Sequence, residues 1–541
     1  MKKKTLVASF GLMVSSLTFA GGLLTNTNQN VAFLRNPARD GAIGIDGVYS
    51  NPAGVAFLPD GLHLSLNFQS AYQTREITSV FGPFAYGAGN RGESSKLFKG
   101  DAKAPVVPSL QAAYNRGRWS YSFNFAIGGG GGKCAFEDGL GSFESQAALL
   151  PLLGSEMGIN SYSLDSYMRG RQYYYGFQIG AAYKITDNLS AFVGGRLVYA
   201  TTNYYGYVKN ISVNNPVGGE MVGASALFAG QMASYLEQAG QLTAAAEQAA
   251  AAGNQDLAQQ YAELAQKAGA AAKQMGTLAV ATEDVTLNCD QTGWGFTPII
   301  GLDYKIGKFN FGAKYEFKTK IRLDNRAANS ESAERLAMLD KFRDGRTVKE
   351  DIPALLTLGA QYEILPSLRI MAGYHHYFDK QASQEGGSQK LLKSGSREFL
   401  AGVEYDITDR VQASAGWQNT YFGLTDEYMK DMSFNVSSNS LGVGLGIQAT
   451  KRIKVNVAYF HTFYKDYNRA TNDYNGISAT VATAAGQATA DALVASGMLK
   501  GSDSFTRTNK VFGLGIDFSF SILSRDEVLT EFARMLKTWF H

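Results

Sequence analysis

The residues able to do chemistry are few in this chain, and their spacing argues against most of what they could do. Gly128 through Gly132, followed by Lys133, has the outline of a phosphate-cradling loop. The first glycine of that motif would fall on Ile127, and Cys134 stands where a Ser or Thr is required, so the motif fails. The run Gly442-Val443-Gly444-Leu445-Gly446 imitates a dinucleotide fingerprint, but on a strand its glycines share one face and serve to leave room. His375 and His376 are neighbours on a strand-like stretch, so they point to opposite sides and cannot share a metal. There is no helical His pair, no zinc-spaced Cys pair and no Gly-x-Ser-x-Gly elbow. The sequence therefore predicts no enzyme, with no catalytic residue, metal or cofactor. The two cysteines, Cys134 and Cys289, both map to predicted outside loops. In an oxidising compartment a disulfide between them would tie the second and third outside loops together, with free thiols as the alternative.

The elements that must position these residues start with a leader. Lys2, Lys3 and Lys4 precede an apolar stretch from Leu6 to Phe19 and the small residue Ala20, which is the layout of a cleavable secretory signal over 1–20. The formal charge of +3 is carried by those three lysines, so the remaining chain is balanced and offers no electrostatic case for nucleic acid. Beyond the leader no apolar window is long enough for a spanning helix. Sixty glycines, 29 tyrosines and 32 phenylalanines with only 18% charged residues suit many strands and aromatic girdles at a membrane interface.

From Leu62 the pattern has period two: Leu62, Leu64, Leu66 and Phe68 face one way, His63, Ser65, Asn67 and Gln69 the other. Fourteen such segments follow between 62 and 521. The third, 118–127, carries Trp119, Tyr121, Phe123 and Phe125 on one face; the seventh, 308–321, alternates Phe309, Phe311, Ala313, Tyr315 and Phe317 with polar residues. Short turns such as Asn115-Arg116-Gly117 and Ile306-Gly307 alternate with long connections. That asymmetry predicts a 14-stranded antiparallel transmembrane β-barrel over 62–521, with short periplasmic turns and long outside loops. Closure removes the edges that lipid does not tolerate. The outside loop at about 206–292 contains an Ala/Gln/Glu-rich run from Ala224 to Ala281, broken at Gly253-Asn254, which predicts a helical hairpin. Over 522–541, Ser524 and Glu527 fit a capping box and Val528, Leu529, Phe532 and Met535 recur at helical spacing, predicting a short amphipathic periplasmic helix.

Between leader and first strand lie Arg35-Asn36-Pro37-Ala38-Arg39 and Asn51-Pro52-Ala53-Gly54. Each Asn-Pro is a turn dipeptide, because proline fixes its own φ and pushes the preceding residue into extended backbone. The run from Gly44 to Ala56 resembles the N-terminal hatch of the FadL/TodX family of outer-membrane long-chain fatty acid and hydrocarbon transporters, in which an Asn-Pro-Ala motif sits in a plug inside a 14-stranded barrel. The resemblance implies that residues 21–61 form the hatch, with Arg35, Asn36, Pro37, Asn51, Pro52, Ala53 and Gly54 as its motif residues. In that family the third strand bends inward and opens a side gap. Gly128, Gly129, Gly130, Gly131 and Gly132, which on their own read as a bulge or kink, are therefore the candidate lateral gate.

The inward faces carry Arg196, Lys314, Glu316, Lys318, Lys320, Arg369, Glu398 and Glu404. Mixed charge is what a plug socket or watery lumen shows, and Arg196, Lys314 and Arg369 are also the natural partners of a buried carboxylate, hence candidate head-group ligands. The expected function is passive, energy-independent uptake of a hydrophobic small molecule, foremost a long-chain fatty acid, with sideways release into the bilayer. The expected surroundings are the lipid bilayer and lipopolysaccharide of a Gram-negative outer membrane. A general porin and a surface receptor or adhesin built on the helical loop are the alternatives.

Overall fold

The alternating segments close into a cylinder. The computed structural model describes residues 23–328, 337–432 and 434–521. The leader at 1–20 and the C-terminal stretch 522–541 lie outside the described residues. The wall consists of β1 (Gly61–Phe81), β2 (Ser95–Arg116), β3 (Trp119–Phe136), β4 (Tyr162–Lys184), β5 (Leu189–Asn214), β6 (Val285–Ile306) and β7 (Phe309–Glu316). It continues through β8 (Leu355–Leu365), β9 (Leu368–Tyr377), β10 (Ser394–Asp406), β11 (Val411–Gly423), β12 (Ser438–Gln448), β13 (Ile453–Tyr464) and β14 (Gly501–Ser521). Each strand pairs antiparallel with its sequence neighbour, and β14 pairs with β1 along its whole length, so the fourteen-stranded barrel is closed. Short strands extend the wall outward: Arg322–Ala327 continues beyond β7, and Tyr467–Thr471 lies along the outer end of β14. The seventh wall strand ends earlier than its alternation suggests, so Lys318 and Lys320 lie beyond it.

The exposure pattern is that of a soluble protein turned inside out. Val193 and Ile179 are 69% and 66% exposed, whereas Asn67, Gln111, Asp303 and Glu398 are 0% exposed. Burying polar side chains while exposing aliphatic ones is favourable only where the surrounding medium is hydrocarbon and the interior supplies hydrogen bonds. Aromatic residues gather at the periplasmic end, where Trp119 packs against Tyr121 and Tyr183.

At the outer end the strands rise well past a bilayer's needs, because their alternation continues with polar residues outside. Apolar side chains of the long connections and of the strands' outer ends fill this extension: Phe81, Phe84, Phe98, Leu140, Phe228, Tyr474 and Phe505 belong to one buried cluster. The third outside loop forms two helices, Ala224–Ala251 and Gln255–Ala281, with Asn254 capping the second through a bond from the Leu257 amide.

Candidate functional site: a filled bore and a breach in its wall

The N-terminal segment folds into three short helical turns, Val31–Arg35, Gly47–Ser50 and Gly54–Phe57, nearly all of whose residues are buried. None is long enough to persist alone in water, so packing against the barrel must hold them. Asn30 caps the first by accepting the Ala32 amide at 2.7 Å, and its Nδ2 donates to Ser65 Oγ on β1. The segment touches β1, β2, β3, β6, β9, β10 and β11 through hydrogen bonds to inward side chains or backbone, and lies against the glycines of β12. A chain that reaches strands on every side of a closed cylinder lies in its bore.

The two Asn-Pro turns are stapled there by their amides. Asn51 Nδ2 donates to Asp303 on β6 at 2.5 Å and its Oδ1 accepts the Gly54 amide, while Ala53 O accepts from Ser190 Oγ on β5 at 2.7 Å. Asn36 Oδ1 accepts the Ala38 amide and its Nδ2 rests on Met371 Sδ of β9. Asparagine suits both places because it supplies donor and acceptor at once. Pro52 lies 3.5 Å from where a Cβ of Gly301 would stand. The glycines of the 442–446 run make room for this segment: a Cβ on Gly442 would stand 2.2 Å from Leu34 O, and one on Gly444 2.6 Å from Arg35 Cγ.

Three ionic clusters bind segment to wall. Arg39 grips Asp46 with two nitrogens and Glu404 on β10 at 2.6 Å, and Arg35 stands 3.7 Å from the same Glu404 and donates to Gln412 on β11. Arg196 on β5 and Lys314 on β7 share Glu316 at 2.6 and 2.8 Å. Lys314 also donates to Tyr49 O, and both cations face the Tyr49 ring, at 5.2 and 3.9 Å from its centroid. His375 bridges Glu398 and Asp40 at 2.7 and 3.0 Å, with Tyr377 adding a hydrogen bond to Glu398. Arg369 is engaged by Asp406 through bonds of 2.8 Å to both carboxylate oxygens. Arg196, Lys314 and Arg369 thus all hold protein carboxylates. Among the described residues no cluster of His, Cys, Asp and Glu suits a metal.

The Gly128–Gly132 run breaks the wall. The β2–β3 ladder stops between the pairs Lys103–Lys133 and Leu110–Phe125. Against β4 the same stretch of β3 carries two bulges, with Gly130 and Gly131 at φ of 68° and 116°, backbone only glycine adopts freely. Opposite stand Pro105 and Pro108 of β2, which have no N–H to give a ladder. The unpaired stretch is roughly 20 Å long at the usual strand rise. From inside, Asn26 meets the orphaned carbonyls of β3: its amide donates to Gly128 O and its Nδ2 to Gly130 O, both at 2.8 Å. Gln29 supports the lower edge, its carbonyl accepting from Ser109 and Gln111 of β2 and its side chain from Asn124 of β3. The prolines were a signal in the sequence; Asn26, Gln29 and Asp303 carried none.

The expected disulfide is not formed. Cys134 and Cys289 are buried free thiols on β3 and β6, not on loops. They lie on one cross-strand row, Cys134 opposite Gly170, Gly170 opposite Tyr204, Tyr204 opposite Cys289. Three inter-strand steps separate them by about 14 Å, twice what a disulfide spans.

At the outer end, the first two long connections meet the last one in a cavity of about 560 Å³ lined by Val80, Pro83, Tyr86, Leu152 and Met498 among others. Deeper in the outer layer, burial pushes Glu350 up to about 7 and Lys341 down to about 7.

These features define the class: a closed transmembrane β-barrel whose bore is occupied by its own N-terminal segment and whose wall lacks ladder pairing along part of two adjacent strands. The fold is that of a FadL homologue of Pseudomonas aeruginosa, with which this chain superposes at a TM-score of 0.55 and 13% identity over 92% of this chain and all of that one. The toluene transporter TodX of P. putida matches at 0.47 and 15% identity over 89% of this chain and 95% of that one. The toluene transporter TbuX of Ralstonia pickettii matches at 0.45 and 14%, over 88% and 94%. No family model and no curated protein matches the chain.

Proposed function

We propose that this chain is a FadL/TodX-type passive importer of hydrophobic small molecules in a Gram-negative outer membrane, with long-chain fatty acids as the solute class. The observation that carries the reading is the breach between β2 and β3, sealed from within by Asn26 and Gln29. A water-soluble solute gains nothing from a side opening toward lipid, whereas an apolar one leaves there without exposing its surface to water. The outer cavity of Val80, Pro83, Tyr86, Leu152 and Met498 is the capture site, being concave, partly apolar and of a size that takes a small ligand. Residues 21–61 act as the hatch. Arg196 and Lys314 belong to its socket, since both contact Glu316 and the face of Tyr49. Arg369 braces Asp406 at the periplasmic end.

The test is to close the breach. Deleting Gly130 and Gly131 while changing Pro105→Thr and Pro108→Thr removes two extra residues and restores two ladder donors. Uptake of labelled oleate into cells is expected to fall at least tenfold, with surface levels of the barrel unchanged. Uptake at the unaltered rate through a barrel shown to be closed by cross-linking of β2 to β3 overturns the lateral route.

A further inference from the structure

Just above the breach, the outer face of the wall carries an unusual row of cations. Lys103 on β2 stands directly opposite Lys133 on β3, and Lys133 directly opposite Arg171 on β4. All three are exposed, and among the described residues none has an ion-pair partner. Lys510 on β14, also exposed, continues the row on the other side of Tyr72. Like charges directly across a ladder are destabilising, so three in succession call for an anion between them. The nearest carboxylate on these strands, Asp101, lies two residues further out on β2 and pairs in register with Ala135, leaving the row in cationic excess. The opposite side of the barrel has no such row: Arg397 stands between His376 and Tyr421.

The height of the row in the membrane identifies the source of the anion. From Tyr183 in the periplasmic girdle up to Arg171 is roughly twelve residues, about one bilayer crossing for a tilted strand. Outward residues in between are apolar or aromatic, including the exposed Ile179 and Phe177. Immediately below the cations is a belt of rings, Tyr173, Tyr175, Tyr199 and Trp294, of the kind that marks the edge of the hydrocarbon. The long connections are on this side, which is the outer one. A cation row at that level faces the head groups of the outer leaflet, where lysine supplies point charges and arginine a two-pronged grip on phosphate oxygens.

We propose that Lys103, Lys133 and Arg171 form a binding site for the phosphates of an outer-leaflet glycolipid, the phosphorylated disaccharide anchor of lipopolysaccharide. A phosphate held between Lys103 and Lys133 also bridges β2 and β3 at the upper lip of the breach, where the ladder resumes. The site is independent of which solute the barrel carries.

Purified full-length protein in detergent is titrated with diphosphorylated lipid A, fully dephosphorylated lipid A, phosphatidylglycerol and inorganic phosphate, and bound lipid is counted by native mass spectrometry. The wild type is expected to retain the diphosphorylated lipid and to lose at least tenfold in affinity for the dephosphorylated one, with phosphatidylglycerol and inorganic phosphate weaker still. Lys103→Gln, Lys133→Gln and Arg171→Gln are each expected to weaken binding about fivefold. Arg397→Gln, on the opposite wall, is expected to leave it unchanged. These are exposed side chains on an intact wall, and the heat-dependent gel shift of a closed barrel confirms folding of each variant. Equal binding by the triple variant, equal loss in R397Q, equal affinity for the dephosphorylated lipid, or preference for phosphatidylglycerol or free phosphate overturns the assignment.

Discussion

Glu404 is the carboxylate on which the N-terminal segment is anchored, since Arg39, Arg35 and Arg369 all converge on it from within 3.7 Å. Arg39 in turn satisfies Asp46 within its own segment, so one guanidinium neutralises two buried acids. Removing one partner of such a buried pair leaves charge in a dry site and costs about 3–5 kcal/mol, whereas removing the charges together costs far less. Arg39→Met is therefore expected to destabilise the packed segment by about that amount. The triple change Arg39→Met, Asp46→Asn, Glu404→Gln is expected to recover more than half of the loss, as read by thermal unfolding in detergent. A triple variant no more stable than R39M would mean that Arg39 acts by packing alone. The same residue-scale logic explains why the Asn-Pro turns were legible and their partners were not. A turn is local and announces itself in two residues, but Asp303 becomes the partner of Asn51 only when the cylinder brings them together across 252 residues of chain.

Strand number, short turns and wall orientation were all readable, because a barrel in lipid must alternate along every strand and close on itself. The height of the strands was not. Beyond the membrane β2 to β6 continue with polar residues outside and small or apolar ones inside, a stretch the expected period-two segments stop short of, and this is why Cys134 and Cys289 were assigned to loops instead of to strands three apart. The breach was half legible: five glycines marked one edge, while Pro105 and Pro108 on the facing edge went unread. The outer layer has its own pH dependence. Burial raises Glu350 from its ordinary range to about 7, so the folded layer holds a proton that the unfolded one has released. Its contribution is fully present below pH 4.5 and is lost as pH rises through about 7. Lys341, lowered to about 7, acts in the other direction and adds stability only as pH climbs above 7. Amide exchange over Thr347–Lys349, corrected for intrinsic rate, is expected to be slower at pH 5 than at pH 7. Glu350→Gln is expected to abolish that difference, and a pH 5 advantage that survives the substitution would assign it to another group.

For the whole molecule, the question is what the fourteen strands enclose when the segment is absent. Eight strands leave a bore just wide enough for side chains, and sixteen leave an aqueous channel, so fourteen without filling approach a porin's width. The lining left behind would be Ser65, Asn67, Gln111, Asp303 and Glu404, all buried now and all readily hydrated. Little apolar surface would be exposed, so the empty cylinder has no strong reason to collapse. Deleting residues 31–58 is therefore expected to turn a barrel silent in planar bilayers into one with steady porin-like conductance, and to admit small polar antibiotics to cells. The deletion also removes the packing behind Asn26 and Gln29, which with Leu24 cover the breach from inside. On the proposed function, passive uptake of labelled oleate should fall even as polar solutes pass more freely. A general porin makes the opposite forecast, with intact protein already conducting and the deletion changing little. An adhesin built on the Ala224–Ala281 hairpin predicts that neither measurement responds to the deletion, while trimming the hairpin abolishes partner binding.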